Sequence, residues 1–112
     1  AGSDSYSPHT EADVRTQMQK MKTAYVDKGI PAIIGEYCVC VDRSNVDGVD
    51  KAKHQASQKL WNRVVTREAK NAGCVPFFWE VGTDISRRDG SVIRSYQLDG
   101  VLEGAQEGVY PF

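Results

Sequence analysis

Apolar residues recur at helical spacing in two long stretches of this chain and run together in two short ones, and the alternation sets the expected order of elements. Val14, Met18, Met21 and Tyr25 return every three to four positions with Arg, Gln and Lys between them, the pattern of an amphipathic helix. Thr10 and Asp13 form a capping-box-like start, Lys28-Gly29 supplies a stop and Pro31 forbids continuation, so the helix is predicted from Glu11 to Lys28. The run Ala32 to Val39 is continuous rather than alternating, as in a parallel strand covered on both faces. Val41 to Val49, rich in Asp, Asn, Ser and Gly, reads as loop.

Ala52, Ala56, Leu60 and Val64, flanked by Trp61, Val65 and Ala69, predict a second long helix with a broad apolar stripe, ending at Asn71-Ala72-Gly73. Cys74 to Trp79 reads as a second buried strand, although Pro76 cannot donate a ladder hydrogen bond. Asp89-Gly90 within Ser86 to Ile93 predicts a hairpin or tight turn, and Leu98, Val101, Leu102 and Ala105 predict a short closing helix. Helix, strand, helix, strand, turn, helix is an α/β order with a parallel crossover. Two parallel strands leave both sheet edges unpaired, so the architecture reads as a slice of something larger.

Composition narrows the function without choosing it. The 112 residues carry 14 basic and 15 acidic side chains and are 40% hydrophobic, enough for one core and too few for two domains. A net charge of −1 leaves no footprint for nucleic acid or an anionic membrane. The longest apolar runs are far too short to cross a bilayer. Cys38, Cys40 and Cys74 are an odd set with no His cluster at ligand spacing, so neither a disulfide framework nor a zinc site is indicated. His9 and His54 read as surface histidines, Asp42, Asp47 and Asp84 as solvated loop charges, and Arg87 and Arg88 as solvent-facing.

In parallel α/β units the chemistry gathers at the carboxyl ends of the strands. Glu36 ends the first strand, after a small Gly35, and Trp79 ends the second. A carboxylate beside an indole suits a sugar ring, which takes a nucleophile at its anomeric carbon and an apolar platform on its face. Glu80 follows Trp79, but strand alternation turns it from the site and makes it a poor acid candidate.

The stretch Gly29-Ile30-Pro31-Ala32-Ile33-Ile34-Gly35-Glu36-Tyr37, then a long helix and Phe77-Phe78-Trp79-Glu80-Val81-Gly82, resembles the last two strand regions of the family 5 glycoside hydrolases, cellulase-type (β/α)8 barrels. Within that family it is similar to the endo-β-1,4-glucanase branch. The resemblance implies that residues 1–112 are the C-terminal part of one TIM-barrel catalytic domain, with strands 7 and 8 present. It implies Glu36 as the catalytic nucleophile, Trp79 and Tyr37 at the sugar site, a retaining mechanism on β-1,4-linked polysaccharide or oligosaccharide, and no metal or organic cofactor. It further implies a secreted or cell-surface enzyme whose acid/base Glu lies elsewhere in a barrel of about 250 residues. The isolated chain is then expected to be inactive, and to pair with the N-terminal portion of the barrel or with itself. Tyr37 stands where Phe is commoner in the family, and Glu80-Val81-Gly82 replaces the usual Asp-Asn-Gly. A small non-catalytic carbohydrate-binding or interaction module is the alternative reading.

Overall fold

The computed structural model describes residues 8–38 and 47–112. Helix α1 (Pro8–Ala24) leads through a 3-10 turn (Val26–Lys28) to strand β1 (Ile33–Tyr37). Helix α2 (Lys51–Asn71), strand β2 (Val75–Phe78) and helix α3 (Ser95–Glu107) follow. These are three helices and two parallel strands among the described residues. Val39, Cys40, Asp42 and the loop before Pro8 lie outside the described residues.

Helix α1 begins at Pro8 rather than at Glu11, with Thr10 already in the first turn, which suits the fixed φ and missing N–H of a first-turn proline. It ends at Ala24. Gly29, at φ 77°, closes the 3-10 turn by donating its N–H to the Val26 carbonyl. Asp50 caps α2, its carboxylate accepting from the Lys53 amide at 3.1 Å.

β1 and β2 pair in parallel, Ile33 opposite Val75 and Ile34 opposite Pro76. Val75 and Trp79 donate their amides to the Ala32 and Tyr37 carbonyls, so the Pro76 nitrogen faces the other edge, unpaired among the described residues, where a missing N–H breaks no ladder bond. The helices cover one face of the sheet. Val14 and Met18 of α1, Val64, Val65 and Ala69 of α2, and Ala32, Tyr37 and Cys74 around the strands make the core. The other face is open: Ile33, Val75, Phe77 and Trp79 are 62%, 44%, 53% and 49% exposed.

Helix α3 docks on α2 through its glycines, with Val101 packed against the core beside them. A Cβ on Gly100 would lie 2.3 Å from the Lys59 carbonyl oxygen, and one on Gly104 2.3 Å from that of Arg63. With Gly108 set against Lys70 they form a bare ridge at helical spacing, while Leu102 is 59% exposed. Ion pairs seam the rim of this contact: Lys59 with Glu103 at 2.6 Å, and Arg63 with Glu107.

The predicted stripe of α2 is corrected at its N-terminal end. Ala52 and Ala56 are exposed, and His54, Ser57, Gln58 and Asn62 are buried instead. The cause is topological: α2 runs back from the carboxyl ends of the strands, so its first turns face the loops and polar cleft at that end and only its later turns reach the core. The Asp89-Gly90 turn is wider than a two-residue hairpin. Ser86 donates to the Ser91 carbonyl at 2.8 Å, Ile85 bridges Val92, and only Gly90 has positive φ.

Candidate functional site at the carboxyl ends of the strands

The site begins with an irregularity in β1. Ile34 pairs with Pro76, but the next partnered residue, Tyr37, pairs with Phe78, so β1 spends three residues where β2 spends two. This bulge decides which way Glu36 points. In a regular strand Glu36 would share the face of Ile34, which packs on the core beneath the helices. The extra residue returns Tyr37 to that helix-facing side, where it is 9% exposed, and leaves Glu36 exposed. A Cβ at Gly35 would meet nothing within 4 Å, so no contact among the described residues demands the glycine.

β2 remains regular, and Val75, Phe77 and Trp79 follow one another along its open face. The two strand ends are tied together, because the Trp79 amide donates to the Tyr37 carbonyl at 2.9 Å. The residue beside Glu36 is thus bonded directly to the backbone of Trp79. The structure therefore brings Glu36 and Trp79 to the same strand ends, both accessible. Tyr37 does not join them. Its ring meets Phe78 edge-on, centroids 5.6 Å apart, and its hydroxyl lies 2.6 Å from that of Thr66 on α2. Burial pushes the Tyr37 pKa up, with the Thr66 hydrogen bond opposing the shift.

Other carboxylates near the strand ends are engaged. Glu80 accepts from the amides of Gly82, Asp84 and Ile85 at 2.7, 2.9 and 3.3 Å. These bonds, that of Asp84 foremost, hold its carboxyl below the usual range. A carboxylate kept ionised this way organises a turn and is badly matched to proton donation. Asp84, expected to be solvated, is 4% exposed with the Arg94 guanidinium 3.9 Å from its carboxylate. His54, expected at the surface, is fully buried. The loop after β2 folds back onto α3, Ile93 and Arg94 both donating to the Asp84 carbonyl, and this buries Asp84. Arg87, Arg88 and Asp47 are exposed, as the sequence implied.

A cleft of about 200 Å³ opens beside Trp79, lined by Cys38, Gln58, Asp84, Arg94 and Gln97 among others. Sequence reasoning missed these polar walls. Gln58 and Asn62 sit on the inner face of a helix whose apolar spacing, read alone, gave that face to Ala52 and Ala56. Cys74 is a free thiol, fully buried, with its pKa raised by that burial. Among the described residues no group of three or more His, Cys, Asp or Glu side chains is placed to hold a metal ion, and no helix is long and apolar enough to cross a membrane.

No protein-family model and no curated sequence matches the chain; the likeness is to solved structures. A family 5 xyloglucan-specific β-1,4-glucanase from a ruminal metagenomic library, solved with the oligosaccharide XXLG, superposes over 91% of this chain with a TM-score of 0.83 and 32% identity. The chain belongs to glycoside hydrolase family 5. It spans 29% of that structure's length and fits the C-terminal part of a family 5 barrel. Two further family 5 xyloglucanases share the fold. That of Paenibacillus pabuli matches 84% of this chain and 27% of its own, at 22% identity and TM-score 0.74. That of Bacteroides ovatus, in complex with an XXXG heptasaccharide, matches 84% and 21%, at 21% identity and TM-score 0.75. The three helices and two parallel strands thus form part of a TIM barrel, and the open sheet face corresponds to its interior.

Proposed function

We propose that this segment is the nucleophile-bearing end of a retaining endo-β-1,4-glucanase. The single observation that carries the reading is the β1 bulge, which frees Glu36 from the helix-facing side and leaves it at the same strand ends as the half-exposed Trp79. Glu36 attacks the anomeric carbon while Trp79 stacks on the sugar face, and a glycosyl-enzyme ester forms as the leaving oxygen takes a proton. Water then attacks that carbon, the ester breaks and Glu36 is regenerated. The second carboxyl of such a site stands about 5 to 5.5 Å from the first. With Glu80 bound into its turn and Asp84 buried, that group comes from the remainder of the barrel.

The substrate is a β-1,4-glucan, and xyloglucan is the first to test, because the 32%-identical relative is xyloglucan-specific. A polymer of that size is met outside the cell, which supports a secreted or cell-surface enzyme. The physiological partner of the open sheet face is the N-terminal portion of the same barrel, which supplies the missing strands.

The test uses the complete barrel carrying this segment. A 2-deoxy-2-fluoro glycoside of a xyloglucan oligosaccharide with a good leaving group is expected to label Glu36, located by peptide mass. Glu36→Gln should lose xyloglucan hydrolysis by at least about a thousandfold. Labelling at another carboxylate, or full activity in Glu36→Gln, overturns the assignment. Residues 1–112 alone should show no turnover, because a nucleophile without its acid does not expel an alkoxide efficiently.

A further inference from the structure

A bulge is a departure from regular pairing, and something has to hold the chain in it. The described contacts converge on one residue. Tyr37 directly follows Glu36 and is fixed at three points: its ring against Phe78, its hydroxyl on Thr66 and its carbonyl on the Trp79 amide.

The direction of the proton in this arrangement is determined. The Thr66 hydroxyl donates to the Asn62 carbonyl at 2.7 Å, its only hydrogen being used there. Tyr37 must then be the donor in the 2.6 Å contact, with Thr66 as acceptor. Asn62 separately donates through its side-chain amide to Gln97 of α3 at 2.5 Å. Tyr37, Thr66, Asn62 and Gln97 are all buried, so these bonds are shielded from competition with water. A substrate-facing tyrosine would keep its hydroxyl accessible. This one is committed to a helix.

We infer that Tyr37 is a positioning residue: by anchoring its hydroxyl on Thr66 it holds the β1 bulge, and so keeps Glu36 turned to the open face and in register with Trp79. This deepens the proposed function and rests on Glu36 being the nucleophile. Tyr37 touches no substrate in this arrangement. It acts through the backbone on both neighbours.

The experiment compares Tyr37→Phe, Thr66→Val and Thr66→Ser in the complete barrel, with kcat and KM measured separately on a xyloglucan oligosaccharide below the melting temperature of each variant. The rate of Glu36 labelling by the fluoro glycoside is followed in parallel. Tyr37→Phe and Thr66→Val are both expected to lower kcat and the labelling rate about tenfold or more, with KM changed less than about twofold, because small misplacement of a reacting group is costly in rate. Thr66→Ser, which keeps the accepting oxygen, should restore most of kcat. Lower melting temperatures with unchanged kcat and labelling would show the contact to be structural only and overturn the inference. So would a raised KM in Tyr37→Phe that Thr66→Val does not share, since that marks direct contact with substrate. Absence of label on Glu36 in the unsubstituted enzyme would instead overturn the nucleophile assignment on which the inference rests.

Discussion

Ile34 and Tyr37 face the same helices although they stand three residues apart in a strand, where side chains normally alternate. The odd spacing is the mark of the bulge, and it is the reason an acidic residue in an apolar run escapes the core. It also makes the energetic role of the Tyr37 hydroxyl measurable by itself.

Tyr37→Phe and Thr66→Val each remove one partner of the same buried hydrogen bond and should each destabilise the barrel by about 1 kcal/mol. Combined, they should cost less than the sum of the two, by at least about 0.5 kcal/mol, because the second change finds the bond already gone. Denaturant unfolding of the four proteins reads the coupling, and strict additivity would show that the two hydroxyls do not depend on one another.

The glycine ridge of α3 reverses the usual ranking of helix substitutions. Gly104→Ala raises intrinsic helix propensity, yet its methyl meets the Arg63 carbonyl, so a loss of about 1–3 kcal/mol is expected. Leu102→Ala, at a position 59% exposed, should stay within about 0.5 kcal/mol. Thermal melts of the two variants settle the order. A stabilised Gly104→Ala would mean that α3 sits further from α2.

Glu80 makes the loop after β2 sensitive to acid. Its pKa is lowered in the folded chain, chiefly by the Asp84 amide. The stabilisation it lends the turn is therefore present above the ordinary glutamate pKa of about 4.3 and is lost as pH falls through the lower folded value. Amide exchange of Gly82, Asp84 and Ile85 should be protected at neutral pH and lose protection only in acid below the ordinary glutamate range. Glu80→Ala should lack that protection at every pH.

The open sheet face predicts association of residues 1–112 when they are separated from the rest of the barrel. With Ile33, Val75 and Phe77 exposed and both strands unpaired on one edge, sedimentation at micromolar concentration should show self-associated species, or a complex when the N-terminal portion is added. Phe77→Lys should suppress self-association. A monodisperse, cooperatively unfolding monomer of 12.4 kDa would show that the segment closes its own core.

What the sequence determined by itself was the local structure. Val14-Met18-Met21 at helical spacing, the unbroken Ile33-Ile34 run and the glycine stops marked the individual helices and strands, because periodicity and backbone preference act within a few residues. Glu36 and Trp79 were legible as strand ends for the same reason. The tertiary structure decided the rest. Whether Tyr37 faces sugar or helix turns on one inserted residue in a pairing between segments about forty positions apart, which no local pattern records. His54 and Asp84 read as exposed, yet they are buried, as is Gln58, because α2 and the loop after β2 pack over the strand ends. Gly100 and Gly104 have poor helix propensity yet make the contact surface of α3, a role that depends on the backbone opposite them and that no local pattern records.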